Sequence, residues 1–365
     1  MASLSPSETR ADVESSYAEV DQADISLLHR LVEIQSLSGA EDAAAGFLVG
    51  QMAERGFRSE RDKAGNAVGI IGSGDRHVVL LGHIDTVPGR IPVRIEDGVL
   101  WGRGAVDAKG PLATFVAAAS RAADRLNATV TVVGAVGEET MGSAGASEVA
   151  TWDTPDFCII GEPSAWDAVC LGYRGTLSLQ YTLRRDSRHT AGPGGSVGEE
   201  AIAFWQRTTE DIDRMNLGVA GDFGRIGYSL RAFNTAGDGL SDIARLSIGL
   251  RLPPGREVEE LVDQQRELAG EAEIAVDGYQ LAYRTDKRSR LVPPFLRAIR
   301  AEGGTPRFTL KLGTSDMTVV GPVWGCPIVA YGPGDASLDH TPDERIVLDD
   351  YLRAVRVLEN VLVAL

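Results

Sequence analysis

The sequence predicts an α/β domain with a mostly parallel sheet, interrupted by a smaller α+β domain. Three observations predict it. In the first half, short apolar runs that end in glycine alternate with an alanine-rich stretch of helical spacing. Between about residues 173 and 285 the texture changes to period-two alternation and two amphipathic stretches. After residue 286 the first texture returns. A chain of 365 residues is long enough to bury two cores.

The elements follow in order. Residues 77–81 (HVVLL) are an apolar run stopping at Gly82 and read as a buried strand. Residues 110–125 (GPLATFVAAASRAADR) read as a helix, and residues 129–136 (TVTVVGAV) and 157–160 (FCII) as further strands. Strands separated by a helix favour parallel pairing, because a parallel connection needs a crossover. In the middle segment, residues 177–183 (LSLQYTL) alternate as a half-buried strand, followed by a helix at 198–215, a strand at 245–252 and an acidic helix at 257–272. That pattern predicts an antiparallel sheet with two helices. Residues 293–302, 327–331 and 348–365 then read as helix, strand and terminal helix. The expected domains are therefore 1–172 with 286–365, and an insert at 173–285.

Composition narrows the function. The chain is 43% hydrophobic and 24% charged, which is ordinary for a globular protein. A net charge of −16 speaks against a nucleic-acid partner, which would face a basic stripe, and against a membrane-surface role. No run of apolar residues is long enough to span a bilayer. Residues 1–20 are polar and acidic, without the marks of a signal peptide. Cys158, Cys170 and Cys326 are odd in number and lack a C-x-x-C spacing, so they read as structural thiols of a protein in the reducing cytoplasm.

Acidic and histidine residues gather at strand ends. His83 and Asp85 follow the first strand (LLGHIDTVPG). Asp107 lies in GRGAVDAKG, just before a helix, and Glu138 and Glu139 follow TVTVVGAVG. Glu162 follows FCII, and His340 stands in the loop LDHTPDE. Ligand sites of open α/β sheets form beyond the carboxyl ends of strands, so these clusters converge. Two histidines with several carboxylates are a donor set for Zn²⁺, with Co²⁺ or Mn²⁺ as substitutes. Asp107 as a bridge, with His83 and Glu162 on one metal and Glu139 and His340 on the other, satisfies two ions. Glu138 is left over as a general base. Asp85 is placed to hold the other ring N–H of His83. His29 and His77 have no such setting and read as structural.

Together, GHIDTVPG, GRGAVDAKG, GEET, GEP and DHTPDE resemble the di-zinc aminoacylase/carboxypeptidase family, which includes acetylornithine deacetylase and succinyl-diaminopimelate desuccinylase. The resemblance covers residues 25 to 365. It implies a catalytic α/β domain with an inserted lid that dimerises, and the same ligand and base assignments. It also implies three further roles. His189, in SRHTAGPGG, matches a lid histidine lent to the neighbouring subunit's site. Arg251, in IGLRLPPG, matches an arginine that holds a substrate carboxylate. Gly313, Thr314 and Ser315, in the GTSD loop, match residues lining the substrate pocket.

Within the family, GAVDAKGPLA, KLGTSDM and AYGPGDASLDHTPDE look most like the amino-group-carrier (LysW-type) hydrolases. Those release lysine or ornithine from the γ-carboxyl of a carrier protein's C-terminal glutamate. The carrier would then be the partner, and Arg184, Arg185 and Arg188, or Arg284, Lys287, Arg288 and Arg290, would be its docking patch. The same motifs also fit a small-molecule N-acyl amino acid deacylase or a dipeptidase. A relative that binds metal without turnover is the reading of another class.

Overall fold

The computed structural model describes residues 17–189 and 194–365. The expectations for the start of the chain and for the stretch after His189 fall largely on residues 1–16 and 190–193, outside the described residues. The chain divides into two compact units. The first holds residues 17–172, Thr285–Leu310 and Ser315–Leu365, and the second Tyr173–Arg284 and Lys311–Thr314.

The heart of the first unit is four parallel strands in the order Ala128–Ala135, Arg76–His83, Phe157–Gly161 and Ile328–Ala330. Antiparallel strands extend the sheet on both sides, with Ala67–Ile71 and Arg58–Arg61 beyond one edge and Ala168–Tyr173 beyond the other. The parallel centre agrees with the expected fold class. Its cause is plain in Arg76–His83, where every residue from Val78 onward is buried. A strand covered on both faces must be apolar throughout.

The helix Lys109–Ala122 packs on this sheet and buries nearly every side chain it has. The terminal helix Leu348–Ala364 lies against it. Small residues let the helix come close. Gly82 and Gly161 face each other on adjacent strands, and a Cβ on Gly161 would lie 2.9 Å from the Phe115 ring and 3.0 Å from the Cα of Gly82. This close approach carries the start of the helix, and Asp107 just before it, to the carboxyl end of the strand that finishes in His83.

The second unit is a four-stranded antiparallel sheet in the order Gly227–Gly237, Ser241–Leu252, Gly175–Asp186 and Glu273–Gln280. Leu177, Leu179, Tyr181 and Leu183 alternate into its core, and Tyr181 stacks on Phe204 of the helix Val197–Met215 with ring centroids 4.5 Å apart. Ser196 and Glu199 cap that helix reciprocally, each accepting from the other's backbone N–H. Two strands here are not foreseen from the sequence. Gly227–Gly237 is exposed along almost its whole length, so it lacks the buried alternation that marks a strand. Glu273–Gln280 is similarly exposed and broken by a register shift between Val276 and Gly278.

Gly161→Val is expected to destabilise the first unit by about 1–3 kcal/mol, since the added carbons meet backbone and a buried ring. Phe115→Leu in the same chain should recover part of that loss. Urea unfolding followed by tryptophan fluorescence measures both.

Candidate metal centre

His83 is the last residue of its strand and is 1% exposed. Its Nδ1 lies 3.0 Å from the backbone carbonyl of Asp85, so the main chain accepts that ring hydrogen. The expected carboxylate partner is a longer 3.5 Å away. Asp85 has a further task. Its carboxylate accepts from the backbone N–H groups of Glu138 at 3.1 Å and Glu139 at 3.0 Å, and from the Ser38 hydroxyl at 2.7 Å. It therefore fastens the Glu138–Glu139 turn beside His83.

The other ring nitrogen of His83 faces the Asp107 Oδ1 at 3.1 Å and the Glu162 Oε1 at 3.8 Å. The second oxygen of Asp107 faces the His340 Nε2 at 3.0 Å, and that nitrogen also lies 2.9 Å from the Glu139 Oε1. His340 is held at φ +60°, a left-handed conformation that side chains other than glycine rarely adopt. Its loop is thus shaped around the position of the ring.

Two groups of donors result, His83 with Asp107 and Glu162, and Asp107 with Glu139 and His340. In each, the atoms lie within 4.8 Å of one another, and Asp107 belongs to both. One oxygen of Asp107 for each imidazole is the arrangement of a bridging carboxylate. Glu138 joins a third group with His83 and Glu139.

The electrostatics of the protein alone favour cations here. Burial pushes Glu138 well above the usual carboxylate range, with the charges of Asp316, Glu139 and Asp107 adding and His83 opposing. Burial raises Glu162 likewise, together with the charges of Asp107 and Glu138. Burial disfavours a charge on His83, but hydrogen bonds to Asp107 and Asp85 overcome it and hold the ring well above its ordinary value. Hydrogen bonds to Asp107 and Glu139 push His340 up to about 10. The carboxylates thus take up protons, or seize imidazolium, for want of other positive charge. A nitrogen and oxygen donor set in that state fits a pair of borderline divalent ions, whose binding would expel those protons.

Asp316 closes the GTSD motif, which the sequence matches to a loop lining the substrate pocket without giving this residue a part of its own. It is 2% exposed, burial pushes it up to about 7, and its Oδ1 has no hydrogen-bond partner among the described residues. Nothing in the sequence betrays it, since its setting depends on burial beside Glu138 and His83.

Of the remaining expected residues, Ser315 lies in the first unit and is buried. Its hydroxyl accepts from the Met317 N–H at 3.2 Å and so shapes the turn. His189, Arg251, Gly313 and Thr314 belong to the second unit. His189 is exposed in coil after the strand Gly175–Asp186. Arg251 donates to the Thr314 hydroxyl at 3.3 Å. Beside it stands Arg174, unremarked in the sequence, which donates to the carbonyls of Leu312, Asp222 and Arg225. Burial and the charge of Arg251 lower its guanidinium pKa.

An α/β unit with paired histidine–carboxylate triads at the strand ends, joined to an antiparallel unit, defines the class of metal-dependent amide hydrolases. The chain belongs to the peptidase family M20/M25/M40, whose pattern matches residues 79–364. It is 46% identical to the LysW-lysine hydrolase of Deinococcus radiodurans over 94% of this chain and 97% of that protein. It is 29% identical to the LysW-lysine/LysW-ornithine hydrolase of Sulfurisphaera tokodaii over 92% and 93% of the two chains. The fold is shared with an M20 family metallo-carboxypeptidase of Sulfolobus solfataricus, at TM-score 0.77 and 18% identity over 93% of this chain and 98% of that one. It is also shared with a dinuclear metal-binding M20 peptidase of Bacillus subtilis, at TM-score 0.70 and 13% identity over 94% and 98%.

Elemental analysis after dialysis is expected to find two metals per wild-type chain. Glu162→Ala or His340→Ala should leave about one, and Asp107→Ala should leave fewer than either. Full loading of Asp107→Ala would contradict the shared-ligand geometry.

Proposed function

We propose that this protein is a two-zinc hydrolase that releases lysine, ornithine or a related amino acid from the γ-carboxyl of a carrier protein's C-terminal glutamate. The observation that carries this reading is the 46% identity to a LysW-lysine hydrolase across almost the whole of both chains. His83 and Glu162 would hold one zinc, and Glu139 and His340 the other, with Asp107 between them. Co²⁺ or Mn²⁺ fits the same donors. Bound there, the ions would act as Lewis acids on the scissile carbonyl and make water a better nucleophile at neutral pH.

The chain's own residues do the rest. Glu138, a carboxylate raised by burial, takes the proton of the attacking water and returns it to the leaving amine. Asp85 keeps the Glu138–Glu139 turn in place for that transfer. In the second unit, Arg251 and the N–H groups around Gly313 and Thr314 would hold a substrate carboxylate, with Arg174 anchoring the loop through Leu312. His189 would donate to the carbonyl oxygen in the site of a neighbouring subunit.

That last role requires a homodimer. The strand Gly227–Gly237 supports one: it is a long edge strand, exposed along almost its whole length, and it presents Tyr228, Leu230 and Phe233 to solvent. An edge strand of this length with three exposed large apolar side chains is suited to pairing with a second copy. Of the two basic patches, the first is largely engaged within the chain. Arg185 pairs with Glu271, and Arg184 donates to the Ser241 hydroxyl at 2.7 Å. Lys287 and Arg288 are exposed and are the better carrier-docking candidates. Cys158, Cys170 and Cys326 form no disulfide among the described residues.

The test is amine release from a carrier-linked lysine or ornithine, run beside free N-acetylornithine. The wild type should act on the carrier substrate. Glu138→Ala should keep its metals and lose on the order of 10²–10⁴-fold in kcat. Preference for N-acetylornithine would replace the carrier reading with a small-molecule deacylase. No turnover of either substrate by the metal-loaded wild type would overturn both.

A further inference from the structure

His340 is not the only residue of the LDHTPDE loop that reaches the metal centre. Glu344, four residues on, is fully buried, and both of its oxygens are committed. Oε1 accepts from the backbone N–H of Val106 at 3.0 Å and of Asp107 at 3.1 Å. Oε2 accepts from the Arg103 Nη1 at 2.6 Å. In return the Gly102 N–H donates to the Glu344 carbonyl at 3.3 Å. The segment from Gly102 to Asp107 therefore wraps around one carboxylate. Arg103 is fixed in turn by the carbonyl of Gly89, 3.1 Å from its Nε.

We propose that Glu344 is a positioning residue for the metal centre, setting the backbone of Asp107 so that each of its carboxylate oxygens faces a different histidine. Two features separate this from a general structural role. Glu344 binds the N–H of the very residue shared by both donor groups. It also belongs to the same loop as His340, so one carboxylate joins the two segments that must stay in register for the second group to exist. Because Arg103 neutralises it, Glu344 orients the donors without adding to the crowd of negative charge around them. A buried carboxylate with three donors is preorganised, and groups that orient metal ligands typically govern affinity by ~10–100-fold.

The proposal rests on Asp107 being a shared ligand. The experiment is zinc titration of the metal-free full chain against a chromophoric chelator, with circular dichroism as a control of folding. Wild type should take up two ions. Glu344→Ala should bind them ~10–100-fold more weakly, with kcat recovering as zinc is raised. Glu344→Gln keeps an oxygen for the two backbone N–H groups and should restore most of the affinity. A folded Glu344→Ala with wild-type zinc affinity would overturn the positioning role. If that variant does not fold, Glu344→Asp carries the test, because its carboxylate is withdrawn by one methylene, and unchanged affinity there would overturn the role equally. Failure of the wild type to bind two ions would instead sink the shared-ligand reading beneath it.

Discussion

The rest of the structure depends on the carboxylate of Asp107. One oxygen faces the ring of His83 and the other the ring of His340. Those histidines come from opposite halves of the sequence, one ending a central strand and one in a loop near the C-terminus. A single short side chain can meet both only if its backbone is held at the mouth of the sheet. The alanine-rich helix that follows it, lying close over Gly82 and Gly161, supplies that position. Fold and chemistry are thus linked by a packing distance.

The charges around Asp107 have no satisfactory arrangement in the protein alone. Glu138, Glu162 and Asp316 are all raised by burial, and both imidazoles are drawn towards the charged form. A site in which acids are pushed up and bases are also pushed up lacks positive charge. Such a site sacrifices stability for binding, as functional centres often do. Asp85, which ties the turn of Glu138 and Glu139, and Glu344, which ties Asp107, keep the donors from relaxing apart.

Much of this is legible in the sequence because strand ends are legible. HVVLL, TVTVVGAV and FCII are largely apolar on both faces towards their ends, and the polar residue that follows each run has to emerge at the carboxyl edge. His83, Glu138, Glu139 and Glu162 are placed by that rule. His340 is reached through its motif, since the strand before it is only Ile328–Ala330 and a loop intervenes. What escapes the sequence are residues whose part is set by contacts far apart in the chain. Glu344 falls in the DHTPDE motif without a part assigned to it, and Arg174 passes unremarked, until burial and partners are seen. The strand Gly227–Gly237 escapes for the opposite reason, being too exposed to show a core-facing pattern. Asp85 shows a finer limit, since the sequence places it beside His83 but not the main-chain carbonyl that takes the ring hydrogen.

In this reading Asp107 would lie between two metals. Crystals of the zinc-loaded protein, with anomalous scattering recorded at the zinc edge, test it most directly. Two peaks are expected on either side of the Asp107 carboxylate, ~3.5–4 Å apart as in other two-metal sites. One would lie against His83 and Glu162 and the other against His340 and Glu139. A single peak, or two that leave Asp107 outside their contacts, would contradict it.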